Sequence, residues 1–416
     1  MADKRRKYFV YMDRTDLNII MTVILLCVLG CLLISSSSSY ENAKKQMCFG
    51  LLGLLVMLFI WGFLNHKFLY NKKIAWGLYG SCFVWFGLLQ VLGTTKDEAT
   101  RWIEVGGISI QISEPVKVAC ILFLAYYLSW YRLRMSRIWY ILKAWFFMGI
   151  IAVLLWKVSS NLSSALILLM ITFGMTWAVS GQNKFHAVIL IGTIVAICIF
   201  MYRFSLNLPE ESELLQMNYH YRRIAAFLAP EKYDMTVSYQ TRQALYAIGA
   251  GGFLGRGLGN SLQKYRISEV HNDMIVSILC EELGILGFCI LLLLYGYLLY
   301  QIYRVVYDNQ RGASAKKSQK SSAKVRKTQS DVFGQMICIG IGLHLVFQVI
   351  VNISVAFRLL PNTGVSLPFI SYGGSSILMF MVQMGLVLAV NRYRMLQKSP
   401  VVMKKLKNQE EESVNV

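Results

Sequence analysis

Ten apolar stretches, each reaching or approaching the roughly 20 residues that cross a bilayer as a helix, dominate this chain. They lie near 17–37, 47–64, 73–93, 115–131, 138–156, 162–180, 186–203, 273–301, 333–356 and 371–392. In hydrocarbon every backbone polar group must be satisfied within the segment, so such spans fold as helices. Composition agrees: 56% of the 416 residues are hydrophobic and 15% are charged, more apolar surface than a soluble domain can hide. The sequence predicts an all-α polytopic membrane protein of about ten transmembrane helices. The first stretch is long enough to span and lacks an Ala-x-Ala cleavage pattern, so it is expected to remain as the first helix.

Charge orients the bundle. Lys4, Arg5, Arg6 and Lys7, then Lys67, Lys72 and Lys73, then Arg132, Arg134 and Arg137 fall on one side. So do the eight Lys or Arg of 304–331 and Lys404, Lys405 and Lys407. That side is cytoplasmic by the positive-inside rule, with Lys44 and Lys45 a minor exception. The expected organisation is a cytoplasmic tail (1–16), a single membrane domain (17–395) and a second cytoplasmic tail (396–416). Within the domain, 204–272 forms a large extracellular loop between helices seven and eight, and 303–332 a basic cytoplasmic loop. The net charge of +20 is thus mainly topological. Basic residues interleaved with groove-reading or stacking elements are missing, which argues against nucleic acid as a partner. The nine cysteines fall in apolar spans without Cys-x-x-Cys spacing, and read as small buried hydrophobes rather than zinc ligands or a disulfide framework.

Three segments on the outward side are rich in polar residues, Gly and Pro: about 94–114, 204–272 and 357–371. The first ends in Gln111-Ile112-Ser113-Glu114-Pro115-Val116-Lys117. Glu114 and Lys117 share a helix face at this spacing and can pair. The pair reads either as structural or as a cation facing an anionic ligand. The second carries Tyr221-Arg222-Arg223 and Tyr239-Gln240-Thr241-Arg242-Gln243 at helical spacing, then a glycine-rich run from Gly249 to Gly259 followed by Lys264. The helical parts suggest amphipathic helices on the membrane surface. The glycine run could bring backbone N–H groups to a phosphate or serve as a re-entrant connector. The third holds Pro361 and Pro368 near Gly364, Gly373 and Gly374. Such broken backbone persists at membrane depth only when buried in protein or lining a watery cavity. Finally, Asp273 in His271-Asn272-Asp273 opens an apolar run. A carboxylate there is either a functional group or a helix cap.

These segments together resemble the SEDS family (shape, elongation, division and sporulation), which includes FtsW, RodA and SpoVE. The resemblance rests on Arg101-Trp102, Gln111…Glu114…Lys117, Tyr239-Gln240, Ala247-Ile248-Gly249-Ala250-Gly251-Gly252 and Gly257-Leu258-Gly259-Asn260-Ser261. It continues through His271-Asn272-Asp273, Glu281-Glu282-Leu283-Gly284, and Pro361…Thr363-Gly364…Leu367-Pro368-Phe369…Ser371-Tyr372-Gly373-Gly374-Ser375-Ser376. It implies a peptidoglycan glycosyltransferase that polymerises lipid II beside a class B penicillin-binding transpeptidase, with other division or elongation proteins as further partners. It places the catalytic role on Asp273, as general base for the acceptor GlcNAc 4-hydroxyl, with undecaprenyl pyrophosphate as leaving group. Positive charge or a divalent cation, Mg or Mn, would stabilise that leaving group; no organic cofactor is expected. Candidate substrate-binding residues are Arg101, Glu114, Lys117, Arg223, Gln240, Arg242, Gln243, Lys264, His271 and Ser371. The chain departs from the family at Ser160-Asn161-Leu162-Ser163-Ser164, where Pro-Asp-Leu-Gly-Thr is usual, and at Arg358, where Gly is usual. Its Gln111-Ile112-Ser113-Glu114 replaces Gln-Pro-Ser-Glu, with the proline displaced to 115. A lipid II flippase and a non-catalytic scaffold for the transpeptidase are the alternatives. The outward location of the polar segments favours chemistry at the outer leaflet over transport.

Overall fold

The first four helix starts of this chain are capped by short polar side chains. Asp13 opens α1 (Arg14–Ser37), where it forms a capping box with Asp16 that satisfies amides a helix start leaves without partners. Ser39 caps α2 (Tyr40–Phe63), Asn65 the short α3 (His66–Leu69) and Asn71 α4 (Lys72–Leu92). The computed structural model describes residues 12–96, 99–106, 108–217, 219–233, 238–267, 270–314 and 322–398. The N-terminal basic cluster, residues 315–321 of the basic connector and the tail beyond 398 lie outside the described residues.

A small antiparallel sheet follows α4: β1 (Gly93–Lys96), β2 (Ala99–Val105) and β3 (Ile108–Gln111), in that order. The sequence reading had only an irregular polar segment here. Arg101 and Ile103 share one face of β2, since strand side chains alternate. Ile103 is buried, so the face that carries Arg101 is the one turned toward the core.

The remaining long helices are α5 (Ser113–Trp130), α6 (Ile138–Lys157), α7 (Leu162–Ser180), α8 (Asn183–Leu206), α12 (Ile275–Ser314), α13 (Ser322–Ala356) and α14 (Gly374–Lys398). Between α8 and α12 lie α9 (Glu211–Gln216), α10 (Tyr219–Leu228) and α11 (Tyr239–Gly251). Nine helices among the described residues are long and apolar enough to cross a membrane. The tenth expected span is α5, whose Glu114 and Lys117 dilute its apolar character. At about 1.5 Å per residue its 18 residues still run roughly 27 Å. It sits at the centre, packed against α4, α7, α13 and α14, and nearly every side chain from Ser113 to Ser129 is buried. At the opposite extreme, α8 buries only His186. Cys82, Cys120, Cys280 and Cys338 are buried as expected. Cys48, Cys198 and Cys289 instead sit on outward faces, where a membrane protein meets acyl chains and nothing drives a thiol inward.

The glycine-rich run proves to be a connector with a specific docking partner. At Gly284 the backbone of α12 breaks (φ 66°). The amides of Ile285 and Leu286 donate to the carbonyls of Gly252 and Phe253, while those of Arg256 and Gly257 donate to Glu281 and Glu282. A Cβ on Gly251 would lie 1.9 Å from the Cys280 carbonyl oxygen, and one on Gly255 2.2 Å from that of Glu282. Glycine is required because two backbones touch. The N–H groups of Gly255, Arg256 and Gly257 are spent on carbonyls and do not form a phosphate cradle.

Candidate active site

The segment 357–373 between α13 and α14 is not helical, as its prolines and glycines dictate. It folds back into the bundle, where Pro368 is fixed through its carbonyl by the Tyr295 hydroxyl. Gly364, Val365 and Ser366 form one wall of a small polar cleft with a cavity volume of about 10 Å³. The other walls are Gln111 at the end of β3, Glu114 and Lys117 on α5, Asn161 and Ser164 at the start of α7, and Gln348 on α13.

Lys117 is fully buried, and its ammonium lies 2.9 Å from Glu114 Oε1. It also donates to Gln348 Oε1 at 3.0 Å. Glu114 Oε2 is buried with no hydrogen-bond partner among the described residues. Asn161 caps α7 by accepting the Ser164 amide at 3.0 Å, and its Nδ2 donates to Ser113 at 3.4 Å. The cleft therefore holds a neutralised ion pair surrounded by amides and hydroxyls.

Two arginines guard the rim at Gly364. Their Nη1 atoms lie 3.8 Å (Arg101) and 3.6 Å (Arg223) from the point where a Gly364 Cβ would stand. Arg101 donates to the Ser160 carbonyl at 2.8 Å, and Arg223 to the Asn362 carbonyl at 2.9 Å. Ser160 has φ 46°, a backbone conformation that non-glycine residues rarely adopt and that clusters at functional sites. His220 on α10 stands beside Arg101; its burial, and secondarily that positive charge, push its imidazole below the ordinary histidine range.

Asp273 lies two residues before α12. Its neighbours Val270 and Met274 are buried in a cluster with Ala244, Ile267, Ile278 and Val355, which clamps the turn between α11, α12 and α13. His271 packs its ring edge-on against Tyr372, 5.4 Å between centroids, and its carbonyl accepts the Tyr372 amide. From α13, Asn352 donates to the carbonyls of both Asp273 (2.9 Å) and Val365 (2.6 Å). The aspartate turn and the cleft wall are thus one side chain apart.

A family model described as cell cycle protein, covering FtsW, RodA and SpoVE, matches residues 16–396. The chain belongs to this family. A probable peptidoglycan glycosyltransferase FtsW of Thioalkalivibrio sulfidiphilus is 29% identical over 397 residues, covering 91% of this chain and 90% of the relative. Stage V sporulation protein E of Bacillus subtilis is 30% identical over 392 residues, covering 91% and 97%. Among solved structures, a chain from a peptidoglycan synthase complex that coordinates polymerization and crosslinking superposes with a TM-score of 0.68 at 24% identity, covering 90% of this chain and 97% of that one. RodA of Thermus thermophilus superposes with a TM-score of 0.58 at 24% identity, covering 90% and 96%. These two likenesses show the shared fold.

Against this FtsW/RodA/SpoVE framework, the structure sorts the sequence-predicted site residues. Glu114 and Lys117 line the cleft, and Arg101 and Arg223 meet at its rim. Lys264 stands elsewhere: its ammonium donates to the carbonyls of Ser36 (2.9 Å) and Gly259 (2.8 Å). Ser371 is buried, and its hydroxyl accepts the Leu367 amide at 2.7 Å, a turn-forming role. Gln240, Arg242 and Gln243 lie on α11; Gln243 is buried, its Oε1 without a hydrogen-bond partner among the described residues. The acidic pair Glu281-Glu282 is structural, Glu281 collecting Ser261 and the amides of Leu262 and Gln263, Glu282 the Ser36 hydroxyl. The sequence reading missed Gln348 and His220 and gave Asn352 no site role. The available signal was the spacing of His344, Gln348 and Asn352, four apart in an apolar span, since polar groups inside a membrane helix are functional suspects.

Among the described residues no three of His, Cys, Asp and Glu come together to hold a metal. The one carboxylate of the cleft is paired with Lys117. Mg is commonly held by one or two carboxylates together with substrate phosphates, so a divalent cation here would rely on substrate oxygens for most of its ligands.

Proposed function

We propose that this chain polymerises lipid II into glycan strands at the outer face of the bacterial cytoplasmic membrane, with both termini in the cytoplasm. The observation that carries the reading is the convergence of three outward-assigned segments on one cleft: Arg101 and Glu114–Lys117 from the first, Arg223 from the second and 361–366 from the third. The names of the relatives support the same activity.

In this reaction the acceptor GlcNAc 4-hydroxyl oxygen attacks the anomeric carbon of the donor MurNAc. The C1–O bond to pyrophosphate breaks, and undecaprenyl pyrophosphate leaves with the bonding pair. Asp273 takes the hydroxyl proton, a contribution typically worth 10²–10⁴-fold. Arg101 and Arg223 suit the leaving pyrophosphate, since the guanidinium fork matches phosphate oxygens. Lys117, held in place by Glu114 and Gln348, adds an ammonium donor whose charge Glu114 balances. Fixed cations in a water-poor site stabilise developing negative charge without reorganising. A class B penicillin-binding transpeptidase is the expected partner, in keeping with the synthase complex whose chain shares this fold.

The reading is tested by lipid II polymerisation with the purified full-length chain, alone and with its cognate transpeptidase. Glycan strands are expected from the wild type, and fewer than one hundredth as many from Asp273→Asn, on the scale of a lost general base. A wild type that moves lipid II between leaflets but makes no glycan would support the flippase reading instead.

A further inference from the structure

One face of α13 carries His344, Gln348 and Asn352, which stack on one side of the helix because they are spaced four apart. All three are buried, and each reaches a different element. His344 Nδ1 lies 2.8 Å from Gln383 Oε1 of α14. Gln348 accepts the Lys117 ammonium at 3.0 Å and donates to the Ser366 carbonyl at 3.1 Å. Asn352 uses one nitrogen for the carbonyls of Asp273 and Val365. Two consecutive cleft residues, Val365 and Ser366, are therefore held by two consecutive rungs of the same helix. The other ends of those rungs are Lys117 and the Asp273 turn.

Packing alone does not call for an amide at 352. Its Oδ1 is buried with no partner among the described residues, and a buried acceptor left unsatisfied is costly. Leucine would fill much the same volume without that cost. What leucine cannot do is tie two carbonyls from separate segments to one point. Gln348 is likewise more than filler, since its two ends face a cation and a loop carbonyl.

We infer that Asn352 and Gln348 are positioning residues of the proposed reaction, on which reading this inference rests. Asn352 fixes the Asp273 turn against the cleft wall. Gln348 fixes the Lys117 ammonium against the next residue of that wall. Base and cation are thereby set in register by a helix that carries neither.

The test uses the full chain with its transpeptidase and lipid II, measuring kcat and KM separately, together with the thermal midpoint of the purified protein. Asn352→Leu is expected to lower kcat about 100-fold, the scale of misplacing a reacting group by roughly 1 Å, with KM close to the wild type's. Gln348→Glu keeps an acceptor for Lys117 but cannot donate to the Ser366 carbonyl, so kcat should fall in it as well as in Gln348→Met. Unchanged kcat per folded molecule in Asn352→Leu, or wild-type kcat in Gln348→Glu, would overturn the inference. If Asn352→Leu fails to fold, Asn352→Ser, too short to reach both carbonyls, takes its place with the same expectation. An inactive wild type or an active Asp273→Asn, run alongside, would instead refute the functional reading.

Discussion

The Lys117 ammonium sits 2.9 Å from Glu114 Oε1, and both side chains are buried at the top of the central helix. Removing one partner leaves an uncompensated buried charge, which typically costs about 3–5 kcal/mol. Lys117→Met should therefore destabilise the purified protein strongly. Glu114→Gln combined with Lys117→Met removes both charges and should recover most of the thermal midpoint while leaving polymerisation abolished. A double variant as unstable as Lys117→Met alone would show that the pair is not the source of the loss.

Arg101 and Arg223 approach the same glycine from elements far apart in sequence. If they bind pyrophosphate as a pair, Arg101→Lys and Arg223→Lys should each raise KM for lipid II, because an ammonium keeps the charge but loses the two-pronged geometry. Inorganic pyrophosphate should inhibit the wild type more than either variant. Equal inhibition of all three would remove the arginines from the leaving-group site.

Glycines in this chain differ sharply in what they tolerate. Gly251→Ala would place Cβ 1.9 Å from the Cys280 carbonyl oxygen, a clash between backbones. Gly364→Ala meets only ordinary contacts, at 3.6 Å or more, and suffers chiefly from its φ of 66°. That strain is worth about 1–2 kcal/mol. Thermal midpoints should fall far more in Gly251→Ala than in Gly364→Ala. Conversely, Arg358 holds φ 55°, and Arg358→Gly should raise stability by about 1 kcal/mol through relief of the same strain.

Stability should decline on acidification. Burial, with the nearby Lys67, pushes His66 down to about 3, and burial with Arg101 lowers His220. The unfolded chain then binds protons below the ordinary histidine value of 6.5 that the folded chain refuses, so stability falls as pH drops through that value. The thermal midpoint should drop between pH 7 and pH 5. His66→Gln should reduce that dependence, and His220→Gln should reduce it less. An unchanged slope in His66→Gln would show that other groups govern it.

Most of the bundle was legible because a bilayer enforces one rule, an apolar run of fixed length. The central helix was read as a span at 115–131 from its apolar run alone, although Glu114 and Lys117 dilute its start. The β1–β3 sheet was missed because its strands are short and lack a clean apolar–polar alternation, although they pair as local hairpins. Lys264 and Ser371 were assigned to substrate on residue type alone, whereas their partners are backbone groups that no local pattern reveals. Arg101 and Arg223 were named as candidates, but their meeting at Gly364 depends on tertiary folding. Asn352 carried no site role in the sequence. Its two carbonyl partners, 79 and 13 residues away, give it a physical role.

Orientation is checked by cysteine labelling in a background without native cysteines. Tyr265→Cys and Leu133→Cys place probes at exposed positions, 84% and 85% accessible, on opposite sides of the proposed topology. A membrane-impermeant reagent added to intact cells should label the first and spare the second. The reverse pattern would put the cleft on the cytoplasmic side.

The most direct measurement is glycan synthesis by purified Asp273→Asn protein beside the wild type, with lipid II and the cognate transpeptidase. The substitution preserves size and removes the base. A fall of about 100-fold or more with an unchanged thermal midpoint and unchanged transpeptidase binding is expected. Glycan strands made at near wild-type rate would contradict the assignment of Asp273 as the base that deprotonates the acceptor.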